Sequence, residues 1–278
     1  MTSLLDILSV EPQGHDMFLG SSSGMIQHLF GGQLLGQSVV AAARTVEGRE
    51  INSLHGYFLH AGDGRRPVQY EVQRTRDGRS FSSRRVVGYQ DDHKIWTADL
   101  SFHTGEAGIE RAEEQPPSLA PEELPSFMDG MRSTVGTGSE WNDLDIRWGG
   151  PWPPAGRAPA GMSPRNSFWF RFSKELPDDD AVLHAAVLAY VSDLSFLTPV
   201  ILPDGAFMWS PGVRATSLDH AVWFHRSFSV DEWLLYDQYS PVASRGRGFA
   251  IGGISAIDRG RVASTAQEGL FRFKNEVR

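Results

Sequence analysis

The sequence predicts an α+β fold of two tandem units, each a long helix followed by an antiparallel meander, and three observations predict it. Asp178 to Pro199 is the most apolar long segment, with aspartates at its start and an Ala/Leu-rich body. Apolar residues occur all round it, as in a helix wrapped by other structure. A glycine-led helical segment, Phe30 to Arg44, precedes a strand-rich stretch from Ile51 to His103, and helix then meander is an α+β order. The same order recurs behind the apolar helix, where Ala215 to Phe273 reads as a second meander.

Each element has a local reason. Residues 4 to 19 fit a short helix and a turn. Gly20-Ser21-Ser22-Ser23-Gly24 matches the Gly-x-Ser-x-Gly pattern of serine hydrolases, but no apolar strand leads into it, so it reads as a Gly/Ser loop. Small residues in the 30–44 segment allow close packing, and its glycines can also present N–H groups to an anion or a carbonyl oxygen. His55 to His60, Val68 to Thr75, Phe81 to Gln90 and Lys94 to His103 are β-rich, with Asp77-Gly78 as a hairpin turn. Residues 104 to 165 hold nine of the 16 prolines together with Glu110, Glu113, Glu114, Glu122 and Glu123, a composition that suits a long connection and not a third core. Ser167 to Phe172 alternates as a strand does. Asp178, Asp179 and Asp180 can cap the apolar helix, which should run about four or five turns until Pro199 limits it. The expected division is therefore residues 1–104, a connection over 105–165, and 166–278.

Composition narrows the function. The chain has 278 residues, 40% hydrophobic and 11% aromatic, enough for about two domains. A net charge of −8 argues against nucleic acid as the partner. With no cysteine, disulfides, thiolate metal sites and a cysteine nucleophile are excluded. No apolar run reaches the roughly 20 residues of a membrane span. The N-terminus lacks a signal-like core and reads as uncleaved, and Asn275 to Arg278 is not a Ser-Lys-Leu type address. A cytoplasmic protein is the expectation.

The two halves read as copies. His55-Gly-Tyr-Phe-Leu-His60 matches His220-Ala-Val-Trp-Phe-His225 at an offset of 165 (220 − 55), and Gly78-Arg79, Phe81 and Thr97-Ala98 recur as Gly246-Arg247, Phe249 and Thr265-Ala266 at 168 (246 − 78). A tandem duplication is the economical account, and two such units should join their sheets edge to edge in a pseudo-twofold arrangement. Histidines five apart on a strand face opposite ways, so neither pair should chelate a metal. The copies differ in polar residues. Asp193 interrupts the second helix, whereas the first has no acid between Gly31 and Val46; Gln267 lines up with Asp99; Ser217 precedes His220 by three. One copy therefore looks adapted for polar work.

Several motifs in order carry a resemblance. They are Phe30-Gly31-Gly32-Gln33 with Gly36-Gln37, His55 to Leu59 followed by Gly62-Asp63, and Arg76 to Ser82 with Arg84-Arg85-Val86. In the second half they are Ser192-Asp193-Leu194, Ser217 to His220 with Trp223 to Arg226, Glu232 to Tyr236, and Ser264 to Gly269. With these the chain resembles the acyl-CoA thioesterase II family, whose members have a double hot-dog fold: two long helices, each wrapped by an antiparallel sheet. The resemblance spans both halves but little of the connection. It implies an acyl-CoA substrate, no cofactor and a homo-oligomer, and by motif it carries the family's catalytic aspartate, Ser/Thr and glutamine onto Asp193, Ser217 and Gln267. Some relatives have threonine at the Ser217 position, and the hydroxyl is retained.

The chemistry of that trio is self-consistent. Thioester hydrolysis needs an activated water, for which Asp193 is the expected general base and Ser217 and Gln267 the groups that hold it. Backbone N–H groups of Gly32 and Gln33 are the expected oxyanion donors. Arg65, Arg66, Arg84, Arg85, Arg226 and Arg245 are available for the phosphates of coenzyme A, though solvated strand faces use arginine equally well. Two rival readings are an acyl-CoA hydratase on the same fold, with His220 beside Asp219 as the nearest candidate pair, and a non-catalytic acyl-CoA sensor or structural protein.

Overall fold

The structure, a computed structural model, describes residues 2–22, 28–127, 129, 139–149, 159–208 and 210–273. A short helix α1 (Leu4–Leu8) leads into a hairpin of β1 (Val10–Gly14) and β2 (Met17–Gly20). The helix α2 (Gly31–Ala43) follows, then β3 (Glu50–Phe58), β4 (Val68–Asp77), β5 (Phe81–Gln90) and β6 (His93–His103). The second half comprises β7 (Leu144–Trp148), β8 (Arg165–Phe172), α3 (Ala181–Ser192), a single-turn α4 (Thr198–Ile201), β9 (Val213–Ser217), β10 (Asp219–Phe224), β11 (Leu234–Ser244), β12 (Arg247–Ala256) and β13 (Gly260–Phe273).

All strands belong to one antiparallel sheet in the order β1-β2-β4-β5-β6-β3-β10-β13-β12-β11-β8-β7, with β9 also pairing with β13. Read outward from the central β3–β10 pair, the order is the same in both directions. Six strands on one side mirror six on the other, and each half contributes one long helix to the inner face. The edge-to-edge joining expected of a duplicated unit is present, and the architecture is the α+β double hot-dog. Strand β7 falls inside the stretch expected to be a connection, so the C-terminal sheet begins before residue 166.

The two long helices pack antiparallel at very close range. A Cβ built on Gly32 would lie 2.2 Å from the Tyr190 carbonyl oxygen, and one on Gly36 would lie 2.9 Å from that of Ala186. Only the missing side chains permit this approach, which explains the glycines at the start of α2 by packing. Helix α3 is buried from His184 through Ser192, as its all-round apolarity predicts, and the Asp180 carboxylate caps it by accepting from the Leu183 N–H at 2.9 Å. It is shorter than expected. The helix stops at Ser192, Asp193 is its C-cap, and Ser195 takes a left-handed φ of 56°. Pro199 does not end it but lies in the first turn of α4. A Ser-Asp-x-Ser cluster competes with helical hydrogen bonds, and that local chemistry stops the helix before proline sterics act.

The residue-by-residue match between copies does not survive in detail. His220 is 1% exposed, whereas His55 is on the outer face with its ring edge-on to Trp223 at 4.7 Å. The offset of 165 on β10 and that of 168 on β13 each pair an outward residue with an inward one, so both matches are one residue out of register with the faces of the sheet. Asp99 likewise points outward, in an ion pair with Arg85 at 2.9 Å, while Gln267 is 1% exposed. Among the described residues no helix is long and apolar enough to cross a membrane.

Gly56 sits opposite His220 across the central seam, and a Cβ there would lie 2.2 Å from the Trp96 ring. That ring cannot move freely, since its Nε1–H donates to Ser38 Oγ at 3.0 Å. Gly56→Ala should therefore lower stability by about 1–3 kcal/mol, read as a fall in urea midpoint with the far-UV spectrum retained.

Candidate active site

Where α3 ends, the carboxyl of Asp193 meets the start of α2. A Cβ on Gly31 would lie 2.6 Å from Asp193 Oδ2, so the glycine leaves room for the carboxylate itself. The side chain is 8% exposed, enough for contact with one small molecule and too little for bulk hydration. Burial pushes its pKa up to about 7, against the opposing pull of hydrogen bonds from the Gln267 side chain and the Gly32 N–H. The positive end of the α2 dipole faces this carboxylate and favours its charged form.

Gln267 and Ser217 come from a different part of the fold and reach the same place. The Gln267 Nε2 donates to Ser217 Oγ at 2.7 Å. Ser217 closes β9, His220 opens the inner face of β10, and both strands pair with β13. Ser217 lies opposite Gly269 and Ala221 opposite Ala266, so four steps on one side face three on the other. The extra residue is a bulge. Its backbone is held by the Leu218 N–H to Glu268 carbonyl bond at 2.9 Å and the Phe58 N–H to Leu218 carbonyl bond at 3.0 Å. Residues three apart on a regular strand face opposite ways; here the bulge turns both Ser217 and His220 toward Gln267.

His220, which the sequence offered only as a partner of Asp219 under the hydratase reading, joins this cluster. Its Nδ1 lies 2.6 Å from Gln267 Oε1, its Nε2 2.9 Å from Ser192 Oγ, and its Nδ1 3.8 Å from Asp193 Oδ1. Burial pushes the imidazole pKa down to about 4 despite the Gln267 hydrogen bond, so the ring is neutral at physiological pH. His55, its match in the first half, stays on the outer face against Trp223. A parity argument cannot foresee a bulge. Asp219 faces the other way, accepting from the Glu268 N–H at 2.7 Å.

The expected oxyanion donors have other partners. The Gly32 N–H bonds the Asp193 carboxylate, and the Gln33 N–H closes the first helical turn on the Phe30 carbonyl at 3.1 Å. The Gln33 side chain donates instead to Ser21, Ser22 and Gln37. These two amides hold the carboxylate and the helix start, and they do not stand open for a carbonyl oxygen. Ser22 hydrogen-bonds Arg66 and Gln33, a loop tie and not a nucleophile's setting; Ser23 and Gly24 lie outside the described residues.

Of the arginines considered for phosphate, Arg84 is ruled out. Its side chain is 1% exposed, and it bonds Thr45, Arg76, Ser83 and Asp77. Arg65 pairs with Asp63, Arg66 with Asp91 and Arg85 with Asp99.

Comparisons with known proteins bear on what this site serves. A family model described as acyl-CoA thioesterase matches residues 156–270, and one described as the acyl-CoA thioesterase N-terminal domain matches residues 20–103. The chain is 34% identical to acyl-coenzyme A thioesterase 8 of Homo sapiens over 98% of this chain and 89% of that protein. It is 31% identical to acyl-CoA thioesterase 2 of Haemophilus influenzae over 98% of each. Among solved structures, the acyl-CoA thioesterase II TesB2 of Mycobacterium marinum is 36% identical, with a TM-score of 0.78 over 98% of this chain and 99% of that one. A hot-dog protein of Alicyclobacillus acidocaldarius, 19% identical with a TM-score of 0.76, shares the fold. Both halves and their order are thus matched at substantial identity, and the chain belongs to the acyl-CoA thioesterase II family of thioester hydrolases.

Proposed function

We propose that the chain hydrolyses fatty acyl-CoA to free fatty acid and coenzyme A by direct attack of a water held among Asp193, Ser217 and Gln267. The observation that carries this reading is a buried carboxyl with its pKa lifted to about 7 beside an amide–hydroxyl pair 2.7 Å apart. A base is most effective when its pKa lies near the working pH. The water gives its proton to Asp193 as its oxygen bonds the acyl carbon, and collapse of the tetrahedral intermediate breaks the C–S bond. The proton held on Asp193 then goes to the departing thiolate. Ser217 and Gln267 fix the line of attack, and the N-terminal dipole of α2 favours the negative charge that builds beside it. No acyl-enzyme forms.

A hydratase reading needs an acid–base pair free to reach two substrate carbons. The Asp193–His220 approach of 3.8 Å invites it, but both ring nitrogens already have partners, Gln267 and Ser192. Self-association is also part of the proposal. Tyr57 is 60% and Trp223 36% exposed on the outer face of the central strands, an apolar pair suited to a second copy. Sedimentation should return more than one chain per particle, and a monomer at micromolar concentration would refute it.

Asp193→Asn should lower kcat by about 10²–10⁴-fold, measured by thiol release on a series of acyl-CoA chain lengths. For the wild type, kcat/KM should rise with pH and level near 7, where the carboxyl ionises; a variant rate within a few-fold of wild type would sink the assignment.

The same substitution should stabilise the fold. Folded Asp193 keeps its proton to about 7, whereas the ordinary value is 3.8. Between these values unfolding releases a proton, so this carboxyl erodes stability as pH rises through that window, and its full penalty stands above 7. Asp193→Asn should therefore raise stability at pH 8 by up to about 4 kcal/mol, with the gain vanishing near pH 4. Urea titrations at the two pH values test this.

A further inference from the structure

The side chain of His220 is fully buried and lies behind the trio, so it cannot meet a substrate directly. What it meets is Gln267, through the 2.6 Å contact of Nδ1 with Oε1. An amide side chain has a donor end and an acceptor end, and rotation by half a turn exchanges them. For Gln267 that exchange decides whether NH2 or C=O faces Asp193 and Ser217. Only the NH2 end suits an ionised carboxylate.

The surrounding groups select one arrangement. A neutral imidazole carries its proton on one nitrogen. If Nε2 carried it, the bare Nδ1 would confront an amide oxygen at 2.6 Å, which is repulsive. The proton is therefore on Nδ1, and Nε2 accepts from the Ser192 hydroxyl at 2.9 Å. That hydroxyl also lies 2.8 Å from the Ala189 carbonyl, so its one proton has two takers, and the tautomer settles which it serves. The chain of donors runs from Ser192 to His220 to Gln267, and from there to Ser217 and Asp193. Phe196, with its ring 5.5 Å from the imidazole, packs against the network on one side.

We propose that His220 is a positioning residue that acts through Gln267, locking the amide with its NH2 toward Asp193 and Ser217 and thereby aligning the attacking water. This rests on the reading of Gln267 as a group that holds that water. It assigns work to a histidine that neither packs merely as core nor serves as the base. Ser192, the last residue of α3, supplies the donor to Nε2 once Nδ1 carries the proton and so belongs to the same device.

The test is steady-state kinetics of the full chain on one well-hydrolysed acyl-CoA, with His220→Asn, His220→Gln, His220→Leu, Gln267→Ala and the double variant His220→Leu/Gln267→Ala. The asparagine amide nitrogen falls near the Nδ1 position, while that of glutamine reaches toward Nε2. His220→Leu and His220→Gln should lose about ten- to a hundredfold in kcat with KM little changed, and His220→Asn should stay within about threefold of wild type. In the Gln267→Ala background, His220→Leu should cost less than about twofold further, because its route of action is gone. Equal multiplicative losses in both backgrounds, or an order reversed between Asn and Gln, would overturn the proposal in favour of a packing role. If the leucine variant fails to fold, the Asn and Gln pair still decides, since both are polar and of similar bulk. A wild-type rate for Gln267→Ala would overturn the water-holding reading as well. Impaired Gln267→Ala with unimpaired His220 variants would overturn this inference alone.

Discussion

The active end of the molecule depends on a single close approach, that of the α2 start to the carboxyl at the end of α3. Gly31 leaves space for Asp193 Oδ2, and Gly32 brings its own backbone against Tyr190 while its N–H holds the carboxylate. A side chain at either position would separate the helices, rehydrate the carboxyl and return its pKa toward the ordinary value. Burial at this junction thus makes Asp193 a stability liability above its raised pKa of about 7, and gives it the protonation behaviour that the proposed base requires. Hydrogen bonds from the Gln267 side chain and from the Gly32 N–H moderate that burial without cancelling it, which leaves the pKa at about 7.

Around that carboxyl, the protein uses one of several irregularities in its sheet. Strands β9 and β10 would be a single strand on β13 but for the residue inserted near Leu218. The bulge brings a hydroxyl and an imidazole, three residues apart in sequence, to opposite ends of one glutamine amide. Bulges commonly re-aim side chains, and here the re-aimed pair brackets the Gln267 amide. Ladder pairing on β13 therefore holds Ser217 and Gln267 in place, while Asp193 is held at the C-cap of α3.

The larger features were legible in the sequence because they rest on patterns spread over many residues. An all-round apolar helix, two meanders and their repeated order predicted the α+β duplication and its edge-to-edge joining. Asp193 was visible as a charge out of place, although its role was carried by motif resemblance and not by periodicity. Other features rest on single-residue events. The end of α3 at Ser192 follows from a short polar cluster, the hairpin of β1 and β2 from too few residues to show a pattern, and the burial of His220 from a bulge with no composition signal. Parity reasoning fails wherever a residue is inserted, and both sequence matches, His55 with His220 and Asp99 with Gln267, pair an outward residue with an inward one. The small residues of α2 suggested close packing on a sheet, whereas Gly32 and Gly36 pack on the other helix; that the Gly32 amide meets a carboxylate has no local sequence signal.

The duplication also shows why chemistry sits at one end of the helix pair. Helix α2 ends on Arg44 where α3 ends on Asp193. The opposite end of the pair opens into a cavity of about 690 Å³ bounded by Val39, Ala43, Val182 and Ala185. Where β13 places Gln267 on the inner face, β6 places Ala98 and Leu100, which are 2% and 1% exposed. Position 44 is exposed, so a carboxylate installed there would stay hydrated and keep the ordinary carboxylate range. Among the described residues, a buried acid, a bulged strand and a glutamine opposite it come together at the Asp193 end of the helix pair.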